Sequence, residues 1–181
     1  DQPRSRGLGD VYKRQILLCV LPKFTLAENF DLKKIIDLKD PWGSSFINEN
    51  EIIITEKEGK IKIVNINSNK ITEIKHNLKY LVDGQGGLLD ILFKEGFIYI
   101  SYSEDRGDRK SSTSIARAKF NKKELSFKNI FQAEPPINSG YHFGSRLVIK
   151  DNYLFASAGE RGLGMIAVSY THLTLPTIYS V

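Results

Sequence analysis

Between Asp40 and Ala158 no stretch sustains an apolar period of 3.6 between end caps, so the chain has no means of building a helical core there. Short apolar and β-branched runs alternate with turn residues instead. The runs are Glu51 to Glu56, Lys60 to Ile66, Lys70 to Lys75, Leu88 to Phe93, Phe97 to Ser103, Ser112 to Phe120, Leu125 to Gln132, Gly144 to Ile149 and Tyr153 to Ala158. Between them stand Lys57-Glu58-Gly59, Asn67-Ser68-Asn69, Lys94-Glu95-Gly96, Asn121-Lys122-Lys123-Glu124 and Lys150-Asp151-Asn152, all turn-forming combinations. An all-β fold follows.

The last two runs matter most for chemistry. Leu147-Val148-Ile149 and Tyr153-Leu154-Phe155-Ala156 flank an Asp/Asn turn and predict a β-hairpin. Its base is Tyr141-His142-Phe143-Gly144-Ser145-Arg146 on one side and Ala158-Gly159-Glu160-Arg161-Gly162 on the other. Folding about Asp151 sets residue 142 opposite residue 160, and directly opposed residues have Cα atoms about 4.5–5.5 Å apart. An imidazole and a carboxylate there can hydrogen-bond, as a general base and its orienting partner do. On their own, a histidine ahead of a strand is more often a hydrogen-bonded loop residue, and Glu160 and Arg161 read equally as exposed turn residues in weak ion pairs.

Charge narrows the partners. Residues 1–27 hold five basic against two acidic side chains and residues 168–181 hold none, so of the formal +5 only +2 falls on residues 28–167. Lysines scattered singly over such a stretch lack the basic face that nucleic acid requires. Residues 1–15, with Asp10-Val11-Tyr12-Lys13-Arg14-Gln15, and the tail 168–181 resemble translated adapter or assembly sequence at the ends of environmental-DNA reading frames, and are set aside as foreign. The apolar run Ile16 to Leu21 is too short for a stable membrane span, which takes about 20 residues. With Ala27 closing Pro22-Lys23-Phe24-Thr25-Leu26, residues 16–27 resemble the rear of a secretory signal. Cys19, the single cysteine, follows Leu18 and not the small residue of a lipoprotein signal. The expectation is a bacterial protein, periplasmic or secreted, of which residues 28–167 are the N-terminal part of the folded domain.

Hairpins restart near Ser45 to Glu51, at Leu88 and at Gly144, intervals of about 40 to 56 residues. That is the spacing of β-propeller blades, although a sandwich would suit it as well. The polar motifs favour the propeller. Gln85, in Asp83-Gly84-Gln85-Gly86-Gly87, precedes the first strand of one unit, and His142 precedes the first strand of the next. Innermost strands of consecutive blades start on one face, so both side chains would reach a shared pocket. Glu160, ending the second strand of its hairpin, returns to that face.

Four segments in this order, GQGGLLDI from Gly84, FIYISYSE from Phe97, HFGSRLVI from His142 and LFASAGERG from Leu154, closely resemble the soluble glucose and aldose sugar dehydrogenases that use pyrroloquinoline quinone. The resemblance implies about two and a half blades, each a four-stranded antiparallel sheet, of a six-bladed β-propeller. It assigns His142 as the catalytic base for the sugar C1 hydroxyl and Gln85 to the cofactor and sugar pocket. Glu160 falls where the family usually has Asp, beside the base, and Arg146 matches an arginine that braces the loop. Quinone-carboxylate contacts and the calcium loop belong to later blades, so quinone and calcium are expected only in the complete protein, which passes electrons to an acceptor the sequence does not identify. The fragment alone, with open edge strands, is expected to be poorly stable and inactive.

A propeller that binds carbohydrate or a partner protein without redox chemistry is the alternative, because fold does not fix function. Trp42 reads as a packing residue, His76 as surface, His172 as part of the foreign tail, and Arg106-Gly107-Asp108 as a chance tripeptide.

Overall fold

The computed structural model describes residues 31–162. The segments read as foreign or as an export signal lie outside the described residues, as do Cys19 and His172. The chain divides after Lys34, and all strands among the described residues belong to the part beginning at Ile35.

The first sheet comprises β1 (Pro41–Asn48), β2 (Glu51–Glu56), β3 (Lys60–Asn65) and β4 (Ile71–His76) as an antiparallel meander. Its centre forms because Ile52, Ile53, Ile54, Ile61, Ile63 and Val64 are stiff at χ1 and pack well on a pleated surface. The second sheet repeats the meander with β5 (Leu88–Lys94), β6 (Phe97–Asp105), β7 (Ser111–Lys119) and β9 (Lys128–Gln132). A third begins with the hairpin β10 (Gly144–Lys150) and β11 (Tyr153–Ala158). The protein is therefore all-β, built as two propeller-type blades and the opening half of a third.

Three details depart from the sequence reading. The run expected at Leu125 to Gln132 splits: β8 (Glu124–Leu125) leaves the second sheet and pairs in parallel with β4, giving the first sheet a fifth strand. Leu125 and Phe127 are both buried, and the Asn77 side chain holds Phe127 by its N–H at 2.7 Å and its carbonyl at 3.1 Å. The crossover thereby covers the outer edge of the first blade. β1 was not among the expected strands, because Pro41, Gly43 and two serines mask its pattern. Gly43 has its own reason: a Cβ there would lie 2.7 Å from Leu89 O and Asp90 Cα of the next sheet. Trp42 beside it, expected to pack near the first blade, is about half exposed.

The second sheet is buried on both faces. Ile98, Ile100 and Tyr102 of β6 point toward the Ile53–Ile61–Ile63–Ile74 face of the first blade. Tyr99 and Phe97, on alternate positions, meet Leu147 and Leu154 of the third.

Hydroxyl groups also join blade to blade in a repeated manner. Thr55 Oγ1 on β2 accepts from Gly43 N at 3.0 Å and donates to Leu89 O of β5 at 2.5 Å. Ser101 Oγ on β6 accepts from Asp90 N at 3.0 Å and donates to Ser145 O of β10 at 2.7 Å. Ser157 Oγ on β11 accepts from Arg146 N at 3.0 Å, the first half of the same bracket. Ser101 is fully buried. In the complete protein Ser101→Ala should thus lower the unfolding free energy by about 1–3 kcal/mol, the cost of leaving buried polar groups unpaired. A urea midpoint that falls at constant m-value is the expected reading, and an unmoved midpoint would show that the bracket does not hold the blades.

Candidate active site

All the lead-ins to the first strands, and the ends of the second strands, lie at one end of the sheets, and the polar residues gather there. The segment ahead of β5 approaches the segment ahead of β10 at glycines: Gln85 N–H donates to Gly140 O at 2.7 Å, and a Cβ on Gly84 would lie 2.5 Å from that oxygen. The Gln85 side chain crosses the same gap, its Oε1 accepting from His142 N–H at 2.9 Å. Gln85 and His142 thus meet, 57 positions apart in the chain. With one lone pair of the amide oxygen engaged by backbone, the Gln85 amide keeps its NH₂ donors and a second acceptor position.

Glu160 reaches His142 by a route slightly different from the one expected. The β10–β11 turn has two residues, Asp151 and Asn152, both at positive φ (50° and 64°), and pairs Lys150 with Tyr153. Carried on unbroken, that register would set residue 142 against Arg161. An irregularity between Gly144 and Leu147 absorbs one residue, so that Gly144 pairs with Ala158. Beyond the ladder, Gly159 N–H donates to Phe143 O at 3.0 Å and Arg161 N–H to His142 O at 3.2 Å. Glu160 Oε1 and His142 Nδ1 are hydrogen-bonded.

His142 sits at φ 48° with its side chain 55% exposed. With Nδ1 engaged by the carboxylate, a neutral imidazole that donates from Nδ1 carries its lone pair on Nε2. That nitrogen is the one free to take a proton from a ligand. The hydrogen bond from His142 holds the Glu160 carboxyl below its ordinary value of 4.5. A depressed carboxyl contributes stability above its unfolded pKa and loses it as pH falls through the lower folded value. We expect an NMR titration of Glu160 to show a midpoint below the ordinary range. A midpoint in or above the ordinary range would contradict the contact.

Two residues were missed by the sequence reading. Lys57, in the β2–β3 turn of the first blade, donates from Nζ to Gly84 O at 3.1 Å and brings a cation to the edge of the same cluster. Arg161, read as an exposed turn residue, is buried, its guanidinium 3.6 Å over the Phe143 ring. Strand alternation predicts neither, since both follow the end of a strand. Arg146 is 77% exposed and reaches Asp90 only at 3.5 Å, so it contributes little bracing. His76, expected at the surface, is half-buried, with Nε2 at 2.8 Å from Gly59 O. Among the described residues no group of three or more His, Cys, Asp or Glu could hold a metal ion, and no helix is long and apolar enough to cross a membrane.

A model of the family described as Glucose / Sorbosone dehydrogenase matches residues 38–173. Aldose sugar dehydrogenase YliI of Escherichia coli (strain K12) is 30% identical over 133 residues, covering 68% of this chain and 36% of the relative. The chain thus spans little more than a third of the length of the curated relatives it matches. A crystal structure of glucose dehydrogenase superposes with a TM-score of 0.67 at 27% identity, over 72% of this chain and 41% of that one. The PQQ-bound form of aldose sugar dehydrogenase from Streptomyces coelicolor superposes with a TM-score of 0.63 over 72% and 41% of the two chains. At 21% identity that likeness is one of fold.

Proposed function

Because the chain belongs to the glucose / sorbosone dehydrogenase family, we propose that the complete protein is a quinoprotein oxidoreductase that oxidises the C1 hydroxyl of an aldose to a lactone. The observation that carries the reading is the cluster itself: an amide, an imidazole and a carboxylate from consecutive blades, with the imidazole exposed and oriented through Nδ1.

In this reading His142 Nε2 takes the proton of the C1 hydroxyl. Glu160 holds the ring and stabilises the imidazolium that forms, and Gln85 offers its NH₂ to the sugar or the cofactor. Gln85 also fixes the backbone of the base, so removing it would disturb both contacts. Pyrroloquinoline quinone, when bound, supplies the acceptor for the hydride that leaves the sugar C1. The donor set fits that chemistry, since it provides a base and an amide donor. Lys57 stands at the edge where an anionic cofactor would be favoured. Calcium belongs in this proposal to the complete protein, as does export to the periplasm.

The test is to purify the complete apoprotein, add the quinone with calcium, and follow dye reduction over a panel of aldoses. Quinone-dependent reduction with at least one aldose is expected. A protein that leaves the quinone unbound and reduces no dye would instead be a binding propeller.

A further inference from the structure

The Arg161 guanidinium lies 7% exposed beneath the cluster. Its Nε donates to Tyr141 O at 3.1 Å, Nη1 to Ser111 O at 2.8 Å, and Nη2 to Ser111 Oγ at 3.0 Å and to Ser139 O. Ser139 Oγ completes the loop by donating to Arg161 O at 2.6 Å. Among the described residues this cation makes no salt bridge; burial pushes its pKa down to about 10, opposed by the nearby Asp83 carboxylate. Burying an unpaired charge is costly, and an apolar side chain stacked on Phe143 would fill the space without that cost. What only a guanidinium supplies is a planar fork able to satisfy oxygens on three residues at once. Two of those residues, Ser139 and Tyr141, belong to the segment that carries His142. The third, Ser111, begins β7 of the preceding blade.

We propose that Arg161 is a positioning residue for the His142–Glu160 pair: its guanidinium fixes the Ser139–Phe143 segment against β7, while its backbone N–H on His142 O sets Glu160, one residue back, at hydrogen-bonding reach of the ring. The proposal rests on the reading of His142 as a base for its effect on turnover, but not for its effect on the pair. A plain strut would cost stability when removed and leave the contact between imidazole and carboxylate as it was. A positioning residue alters that contact in a protein that is still folded.

The experiment follows the Glu160 carboxyl by NMR through a pH titration of the complete apoprotein and its Arg161→Gln and Arg161→Lys variants. In Arg161→Gln the Glu160 midpoint should move up toward the ordinary carboxyl range, with Arg161→Lys in between, because a lysine cannot span the three residues. Glu51, held low by its hydrogen bond from Lys122 on another part of the surface, should not move and serves as the internal control. A Glu160 midpoint unchanged in both variants overturns the proposal. Should neither variant fold, Ser139→Ala removes one bond of the clamp at a partly exposed position. It should shift Glu160 in the same direction by less, and no shift would be equally contrary. In the enzyme loaded with quinone and calcium, Arg161→Lys should lower kcat by about tenfold or more with KM for the aldose within about threefold, as expected for misalignment of a reacting group. A wild-type protein without quinone-dependent turnover would refute the proposed reaction and leave the titration result to decide the role of Arg161.

Discussion

Replacing His142 with alanine in the complete enzyme should lower turnover by about 10²- to 10⁴-fold, the usual contribution of a positioned general base. In free energy this is about 3–5 kcal/mol of lost barrier reduction. The expectation follows from the division of labour on the ring. Nδ1 is bonded to Glu160 and the side chain is 55% exposed, which leaves Nε2 as the ring nitrogen that the proposed reaction uses. The backbone N–H that Gln85 accepts from is kept in the variant, so the loop should stay in place and quinone binding should persist. Single-turnover reduction of the bound quinone isolates the chemical step. An alanine variant with undiminished single-turnover rate would remove His142 from the mechanism, leaving the Gln85 and Glu160 contacts as structural.

Gly159→Ala should have the second largest effect, through backbone instead of chemistry. A Cβ at that position would overlap the His142 carbonyl oxygen, lie 2.6 Å from its carbon and 3.0 Å from Gly144 N. All three are backbone atoms, so no side chain can swing away. The His142 segment must shift by about an ångström, and a displacement of that size in a reacting group can cost about 10²-fold in rate. Because the shift also strains the Arg161 N–H bond to His142 O, stability should fall by about 1–3 kcal/mol, within the common range for point substitutions. Kinetics and a denaturant titration on the same preparation check both parts. Normal activity in Gly159→Ala would mean that the two segments are not packed as closely as described.

Much of this was legible in the sequence, and the reasons differ by residue. The Ile-rich β2 and β3 and the hairpin about Asp151 and Asn152 were readable because apolar alternation and turn chemistry agree there. Gln85 and His142 were readable as neighbours because each stands just ahead of an innermost strand. The partnering of residue 160 with residue 142 emerged from a simpler turn than the real one, since the irregularity at Ser145 and Arg146 compensates for the second turn residue. β1 was hidden by Pro41, Gly43 and the serines that serve the close approach of two blades. The departure of β8 to the first sheet was hidden because Leu125 and Phe127 fit either sheet by pattern, and only the contact with Asn77 decides. Arg161 could not be found because an arginine in a polar turn gives no sign that it will fold inward onto Phe143.

The most direct test of the account is a crystal structure of the complete protein with quinone and a bound aldose. His142 Nε2 should lie within about 2.6–3.2 Å of the sugar C1 oxygen, the reach of a general base, with the Nδ1 contact to Glu160 retained and the Gln85 NH₂ facing the ligand. A sugar bound elsewhere, or an imidazole turned away from C1 with its Glu160 contact broken, would contradict it.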